Sequence, residues 1–254
     1  MIALSEEKIL VANEVTKTYE KAKHPSLKAV SFSVDAGEFI GIMGASGSGK
    51  TTLLNVLSTI DVPSSGEIWI NGVNLRKLKS RRAADFRRDN LGFIFQEYFL
   101  LDSLTIRENI SVPLTLQKLS PKKIENSVYN LAEKFGIASQ LDKYPNELSG
   151  GQRQRASAAR AIVKQPSILF ADEPTGALDS SSATELLKTL QAANQDLCTT
   201  ILMVTHDAYA ASFTDRILVF KDGQIMEELL KQNGNRHDFY ESIMAEIAKL
   251  DTER

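Results

Sequence analysis

At 254 residues and 43% hydrophobic content, the chain is long enough to bury a substantial core as one large domain or two small ones. Thirty basic against thirty-two acidic residues leave a net charge of −2, which argues against a global field for nucleic acid. A single cysteine, Cys198, excludes an intrachain disulfide and a thiolate metal cluster and suits a reducing cytosol.

No apolar run approaches the roughly 20 residues of a membrane-spanning helix, and Met1 to Lys8 lacks a signal-peptide pattern. Any membrane connection is therefore expected to run through a partner. Cys198 itself reads as a small, semi-buried core residue.

In chain order, Ile9 to Tyr19 has β character, Glu20 to Ser26 reads as an exposed loop, and Val30 to Val34 alternates as a strand. Together they predict a small antiparallel β layer. Tyr19, at a strand end, reads by itself as a packed residue. Phe39 to Met43 is a short apolar run, followed by Gly44-Ala-Ser-Gly-Ser-Gly-Lys-Thr-Thr52 and an apolar helical segment. Strand, G-x-x-x-x-G-K-T and helix in that order form a P-loop context. Gly44, Gly47 and Gly49 let the backbone N–H groups of residues 44–49 (with Ala45, Ser46 and Ser48 between them) approach phosphate oxygens. The helix dipole points at the same anion. Lys50 supplies an ammonium to the β- and γ-phosphates, and Thr51 offers a hydroxyl to Mg²⁺. The chain is thus expected to bind a nucleoside triphosphate.

Asp61 to Gly66 reads as a turn and Glu67 to Gly72 as a strand closing in Asn-Gly. Arg76 to Arg88 carries seven basic residues and one acidic one; a solvated helix face begun by Ser80 is favoured over a contact with acidic lipid headgroups. Leu91 to Phe95 is a buried strand ending at Gln96. Tyr98, Phe99, Leu100 and Leu101 then read either as a docking surface or as packing beneath a helix over Thr105 to Val112. Ser120-Pro begins a helix with Ile124, Val128, Leu131 and Phe135 on one face, stopped by Gly136.

Leu148-Ser-Gly-Gly-Gln152 leads into a helix over Arg153 to Val163, and its glycines again offer N–H groups to an anion. Ile168 to Ala171 is a buried strand that delivers Asp172 and Glu173 at its carboxyl end, where ligands of parallel sheets sit. Asp172 fits a Mg²⁺ role and Glu173 is placed to polarise a water. Gly176-Ala-Leu-Asp179 precedes a helix over Ala183 to Ala193. Thr200 to Thr205 is a further buried strand with His206 at its end. Arg216 to Met226 closes as a hairpin. Asp238-Phe-Tyr-Glu241 looks like a capping box for a C-terminal helix with Phe239, Ile243, Ile247 and Leu250 on one face.

Gly44–Thr52, Gln96, Leu148–Gln152, Ile168–Glu173, Gly176–Asp179 and His206 together resemble the ordered motif set of an ABC-type ATPase: Walker A, Q-loop, signature, Walker B, D-loop and switch histidine. The resemblance covers nearly the whole chain. It implies one nucleotide-binding domain with an α/β P-loop NTPase core. The core and its N-terminal antiparallel β subdomain fall at about 1–95 and 165–230, an inserted α-helical subdomain at about 96–164, and a C-terminal helix at about 235–254.

It also implies ATP as substrate, Tyr19 as the ring that stacks on adenine, and Mg²⁺ held through Thr51, Gln96 and Asp172. Glu173 would be the general base, with His206, Gln96 and Lys50 completing the catalytic set. A head-to-tail homodimer would sandwich ATP, with Ser149, Gly150, Gly151, Gln152 and Asp179 acting across the interface.

Finer matches in Gly44–Asn55, Leu91–Gln96, Leu100–Thr105 and Asp172–Asp179 are similar to the group containing LolD, MacB and FtsE, and above all to bacitracin-type antimicrobial-peptide resistance ATPases (BceA-like). A Gly rather than Ser at Gly176 departs from the wider family and agrees with that group. The group implies a large membrane permease as partner, a cytoplasmic position peripheral to the membrane, and a two-component sensor kinase reached through the permease. Lipoprotein or drug export and regulation of cell-wall enzymes are the alternatives. One motif set, no room for a long coiled coil between Thr52 and Leu148, and no Asn-Lys-x-Asp segment argue against translation, DNA-repair and GTPase classes.

Overall fold

A computed structural model describes residues 8–20, 24–232 and 234–252, with side chains to residue 249. Residues 1–7, residues 21–23 of the predicted 20–26 loop, and the Leu250 position of the C-terminal apolar face therefore lie outside the described side chains.

Two sheets organise the chain. The first is antiparallel, in the order β2 (Leu27–Asp35), β1 (Lys8–Lys17), β4 (Ser65–Ile70), β5 (Val73–Asn74). It twists through register shifts at Ala12/Val15 and Asn13/Thr16. The second has the order β10 (Gln224–Leu230), β9 (Arg216–Lys221), β3 (Phe39–Met43), β8 (Thr200–Thr205), β7 (Ile168–Asp172), β6 (Leu91–Phe95). Its pairings are parallel except for the β9–β10 hairpin. The central strands β3 and β8 are buried along their whole length, which is why they read as continuous apolar runs without alternation.

One core lies between the sheets and around α1 (Lys50–Leu57), with Leu10, Val34, Ile40, Leu53, Ile68 and Phe170 among its members. A second covers the other face of the large sheet, beneath α3 (Ile106–Leu116), α4 (Pro121–Lys134), α5 (Gly150–Ile162) and α6 (Ser180–Leu197). A third joins β9 to α7 (Ala208–Ala211) and α8 (Arg236–Thr252) through Val219, Ala211, Phe239 and Ile243. The apolar face of α8 thus covers the chain's own sheet. Arg216 ties the two sheets: its guanidinium donates to Glu38, to Glu228 and to the Ser33 carbonyl of β2.

Several local expectations are corrected. The helix after Asp179 begins at Ser180 and runs to Leu197, because Asp179 accepts from the Ser181 and Ser182 N–H groups as a side-chain cap. Helix α8 begins at Arg236, two residues before the expected cap, because Asn235 accepts from the His237 N–H; Asp238 lies inside the first turn. Ser120 stands at the N-cap of α4 without a side-chain cap bond. Cys198 is exposed, in a left-handed conformation at the C-terminus of α6. Of the 98–101 run, Phe99 and Leu101 are exposed, while Tyr98 is half-buried and Leu100 packs on the helical core.

Helix α2 (Ser80–Asn90) buries only Phe86; Arg81, Arg82 and Arg88 face solvent as expected, whereas the Arg87 guanidinium donates to the Thr59 carbonyl and hydroxyl. It is tied to the segment just after α5 by Lys164, whose ammonium donates to the Arg87 and Arg88 carbonyls. Burial pulls that ammonium down to about 8, against the opposing pull of Asp89. Between pH 8 and the ordinary lysine range the unfolded chain then binds more protons than the folded one, so stability rises with pH across that window. Urea titrations at pH 8 and 10 should show this gain, and Lys164→Met should reduce it, leaving the share of the other lysines that burial pulls down, Lys50 and Lys231.

Candidate active site

Helix α1 starts at the end of a loop whose backbone must lie against other backbone. A Cβ on Gly44 would sit 2.1 Å from the Phe220 carbonyl oxygen, and Gly49, at φ 106°, would meet the Ser26 carbonyl oxygen at 2.5 Å. The Gly223 N–H donates to the Ser48 carbonyl at 2.9 Å, so the β9–β10 turn clamps the loop from outside. The loop is closed on itself by the Ser48 N–H, which donates to the Ala45 carbonyl at 3.2 Å, and it borders a cleft of about 970 Å³. Residues 45–52 line it, together with Gln96, Glu173 and His206. Four strand ends, those of β3, β6, β7 and β8, supply these groups from the carboxyl edge of the sheet.

Lys50 is buried, and its ammonium donates to the Gly44 and Ala45 carbonyls at 2.8 Å each. Burial lowers its pKa, while Glu173 and Asp172 pull the other way. Burial and the neighbouring Glu173 raise Asp172, against Lys50. Asp172 Oδ1 and Ser48 Oγ are buried without a hydrogen-bond partner. Two orphaned oxygens and an ammonium held only by carbonyls leave bonding capacity that a bound phosphate and cation would satisfy.

Glu173 adopts φ 47°, a left-handed conformation that strains a residue with a Cβ by about 1–3 kcal/mol. Its N–H donates to the Val204 carbonyl at 2.9 Å and its carbonyl accepts from Gly176 N–H at 3.0 Å, which hold it there. The carboxylate is thereby turned to His206, whose Nδ1 lies 2.9 Å from Glu173 Oε1.

The remaining expected positions lie apart. Ser149 caps α5 in a reciprocal box with Gln152 and, with Gly150 and Gly151, does not line the cleft. Asp179 caps α6 and also lies outside it, its carboxyl held low chiefly by the Ser182 N–H and hydroxyl. Tyr19 does not line the cleft either. Its ring, 42% exposed, lies 4.9 Å from the Lys17 ammonium, which pairs with Asp61 at 2.6 Å. His24 and Asp222, in loops, and Lys28, at the start of β2, do line it and carried no signal in the sequence, since neither a loop nor a strand end has a periodicity that marks a residue's neighbours. Gln154, fully buried, was also missed: its amide donates to the Phe95 and Pro174 carbonyls at 2.9 and 2.6 Å. It ties the helix after Ser149 to the chain just before Gln96 and just after Glu173.

Residues 27–176 match the family model described as "ABC transporter". The chain belongs to the ABC transporter family. It is the ATP-binding and ATP-hydrolysing subunit of such a transporter. Among its relatives, the bacitracin export ATP-binding protein BceA of Halalkalibacterium halodurans is 53% identical, over 93% of this chain and 94% of that protein. The ABC transporter ATP-binding protein YxdL of Bacillus subtilis is 49% identical, over 95% of this chain and 94% of that one. Among solved structures, the dimeric post-hydrolysis state of the cassette MJ0796, bound to ADP and Pi, superposes with a TM-score of 0.79 at 35% identity, covering 87% of this chain and 98% of that one. No helix among the described residues is long and apolar enough to cross a membrane.

The Gly44 contact gives a direct test of the loop geometry. Gly44→Ala should cost at least about 1–3 kcal/mol, as overpacking against an immovable partner does, and should abolish ATP binding. Urea unfolding and fluorescent-nucleotide titration read the two effects separately.

Proposed function

We propose that two copies of this chain close head to tail on two ATP molecules, and that closing and reopening drives a membrane permease conferring resistance to bacitracin-type peptide antibiotics. The observation that carries the dimer is the division of the site. Lys50, Thr51, Gln96, Glu173 and His206 surround one cleft, whereas Ser149 to Gln152 and Asp179 lie outside it, on elements that a second copy would present. The identity to a bacitracin export protein over nearly the full length of both chains supports the antibiotic class. The alternating partner is a permease that seats the protein on the inner face of the membrane, and a two-component sensor kinase is reached through it.

In this reading the N–H groups of residues 44–49 and the Lys50 ammonium bind the β- and γ-phosphates, with Thr52 at the helix start completing the cradle. Glu173 accepts the proton of the attacking water, and His206 orients the γ-phosphate while fixing the Glu173 carboxylate through their hydrogen bond. Gln96 places the water. Thr51, Gln96 and Asp172 would hold Mg²⁺: all three offer oxygen, the orphaned Asp172 Oδ1 needs a partner, and one carboxylate with substrate phosphates is the usual donor set. The ion when bound neutralises phosphate charge. Tyr19 stacks on adenine once its ring leaves Lys17; Tyr19→Ala should then weaken ATP binding with little effect on turnover at saturation.

Glu173→Gln should cut ATP hydrolysis about 10²–10⁴-fold and leave ATP binding intact. With ATP and magnesium that variant should accumulate as a dimer in light scattering; a strict monomer, even with the permease, would remove the sandwich. In cells, a strain lacking the chain should become sensitive to bacitracin, and the Glu173→Gln copy should fail to restore growth. Unchanged survival across a panel of cell-wall peptide antibiotics would reject the substrate class.

A further inference from the structure

Helix α7 is a single turn beginning two residues after His206. A turn this short has no stability of its own, so its surroundings fix it. On the N-terminal side the Asp207 N–H donates to Thr205 Oγ1 at 3.0 Å, and the Tyr209 N–H donates to Asp207 Oδ1 at 2.9 Å. Tyr209 then reaches α6, where its hydroxyl lies 3.0 Å from Thr184 Oγ1. Thr184 Oγ1 itself donates to the Ser180 carbonyl at 2.8 Å, which leaves Tyr209 as the donor in the pair. Ser180 opens the helix capped by Asp179. The third hold comes from α8. Its Arg236 guanidinium lies 5.0 Å from the Tyr209 ring and 4.6 Å from the Phe213 ring, which meet edge to face at 5.4 Å. Phe239 and Ile243 of α8 are buried in the same apolar cluster as Ala208 and Ala211.

One phenol therefore joins the segment after His206, the helix after Asp179 and a cation of the C-terminal helix. The imidazole of His206 is two-thirds exposed and has one hydrogen-bond partner, Glu173, so its placement depends on the backbone that follows it. We propose that Tyr209 and Arg236 are positioning residues for His206, so that the seating of α8 sets the rate of ATP hydrolysis without setting nucleotide capture. Withdrawing Arg236 from the two rings frees Tyr209 from Thr184, lets the α7 turn drift, and moves the imidazole off the phosphate it orients. The inference rests on the role given to His206 above.

The test is steady-state ATP hydrolysis by the full chain carrying Arg236→Ala, Arg236→Lys, Tyr209→Phe or His206→Ala. Arg236→Ala should lower kcat about three- to tenfold, part of the hundredfold that an ångström of misplacement costs, with KM for ATP within about twofold. Arg236→Lys keeps a cation over the rings and should retain most of the turnover. Tyr209→Phe keeps the ring and loses only the bond to Thr184, so it carries the test if Arg236→Ala does not fold; it should lower kcat in the same way. Unchanged kcat in Arg236→Ala and Tyr209→Phe, with His206→Ala inactive, would overturn the positioning role alone. The same holds if KM and kcat move together or if lysine is as poor as alanine. Full turnover in His206→Ala would instead overturn the reading of the site.

Discussion

The close approach of the 44–49 loop to the β9–β10 turn governs everything built on it. Gly44 lies against the Phe220 carbonyl and Gly49 against the Ser26 carbonyl with no space for a methyl group, and Gly223 closes the contact through its bond to Ser48. Backbone held this tightly on one side fixes the loop against the start of α1, whose dipole favours an anion there. The clamp also makes the C-terminal hairpin part of the nucleotide cleft. That hairpin is braced in turn by Arg216, which binds Glu38 and Glu228 and crosses to the small sheet.

Around this loop the sheet gathers charge that would be costly elsewhere. Lys50, Asp172 and Glu173 sit within one another's fields at the ends of apolar strands, and burial opposes the charged form of both Lys50 and Asp172. Glu173 is further held in a left-handed conformation. Strain and desolvation concentrated at one place, with unsatisfied oxygens beside them, describe a site organised for a ligand. The hydrogen bonds that hold it are supplied from distant segments: Gln154 reaches both the Gln96 and Glu173 neighbourhoods from α5, and Thr184 reaches the His206 neighbourhood from α6.

Much of this was legible in the residues. The strands β3, β6, β7 and β8 are short, apolar through their middles and end at or just before polar groups, a pattern that fits a parallel sheet covered on both faces. The ends of α6 and α8 were less legible because Asp179 and Asn235 cap by side-chain geometry, which spacing does not reveal. Cys198 was misjudged because its small, apolar side chain suits a core, whereas its left-handed backbone at a helix end turns it to solvent. His24 and Asp222 line the cleft from loops and Lys28 from the start of β2, where no periodicity marks a residue's neighbours.

The chain's sequence by itself determined the phosphate-binding loop, the order of strands and helices, and membership in a family of ATP-driven transporters, because glycine spacing and apolar runs are local properties. Only the tertiary structure decided that Tyr19 lies beside Lys17 and outside the cleft, that Glu173 bonds His206, and that the last helix rests on the turn following that histidine. The last two relations join residues tens of positions apart, and the position of Tyr19 relative to the cleft likewise depends on how the two sheets pack after the strands have paired.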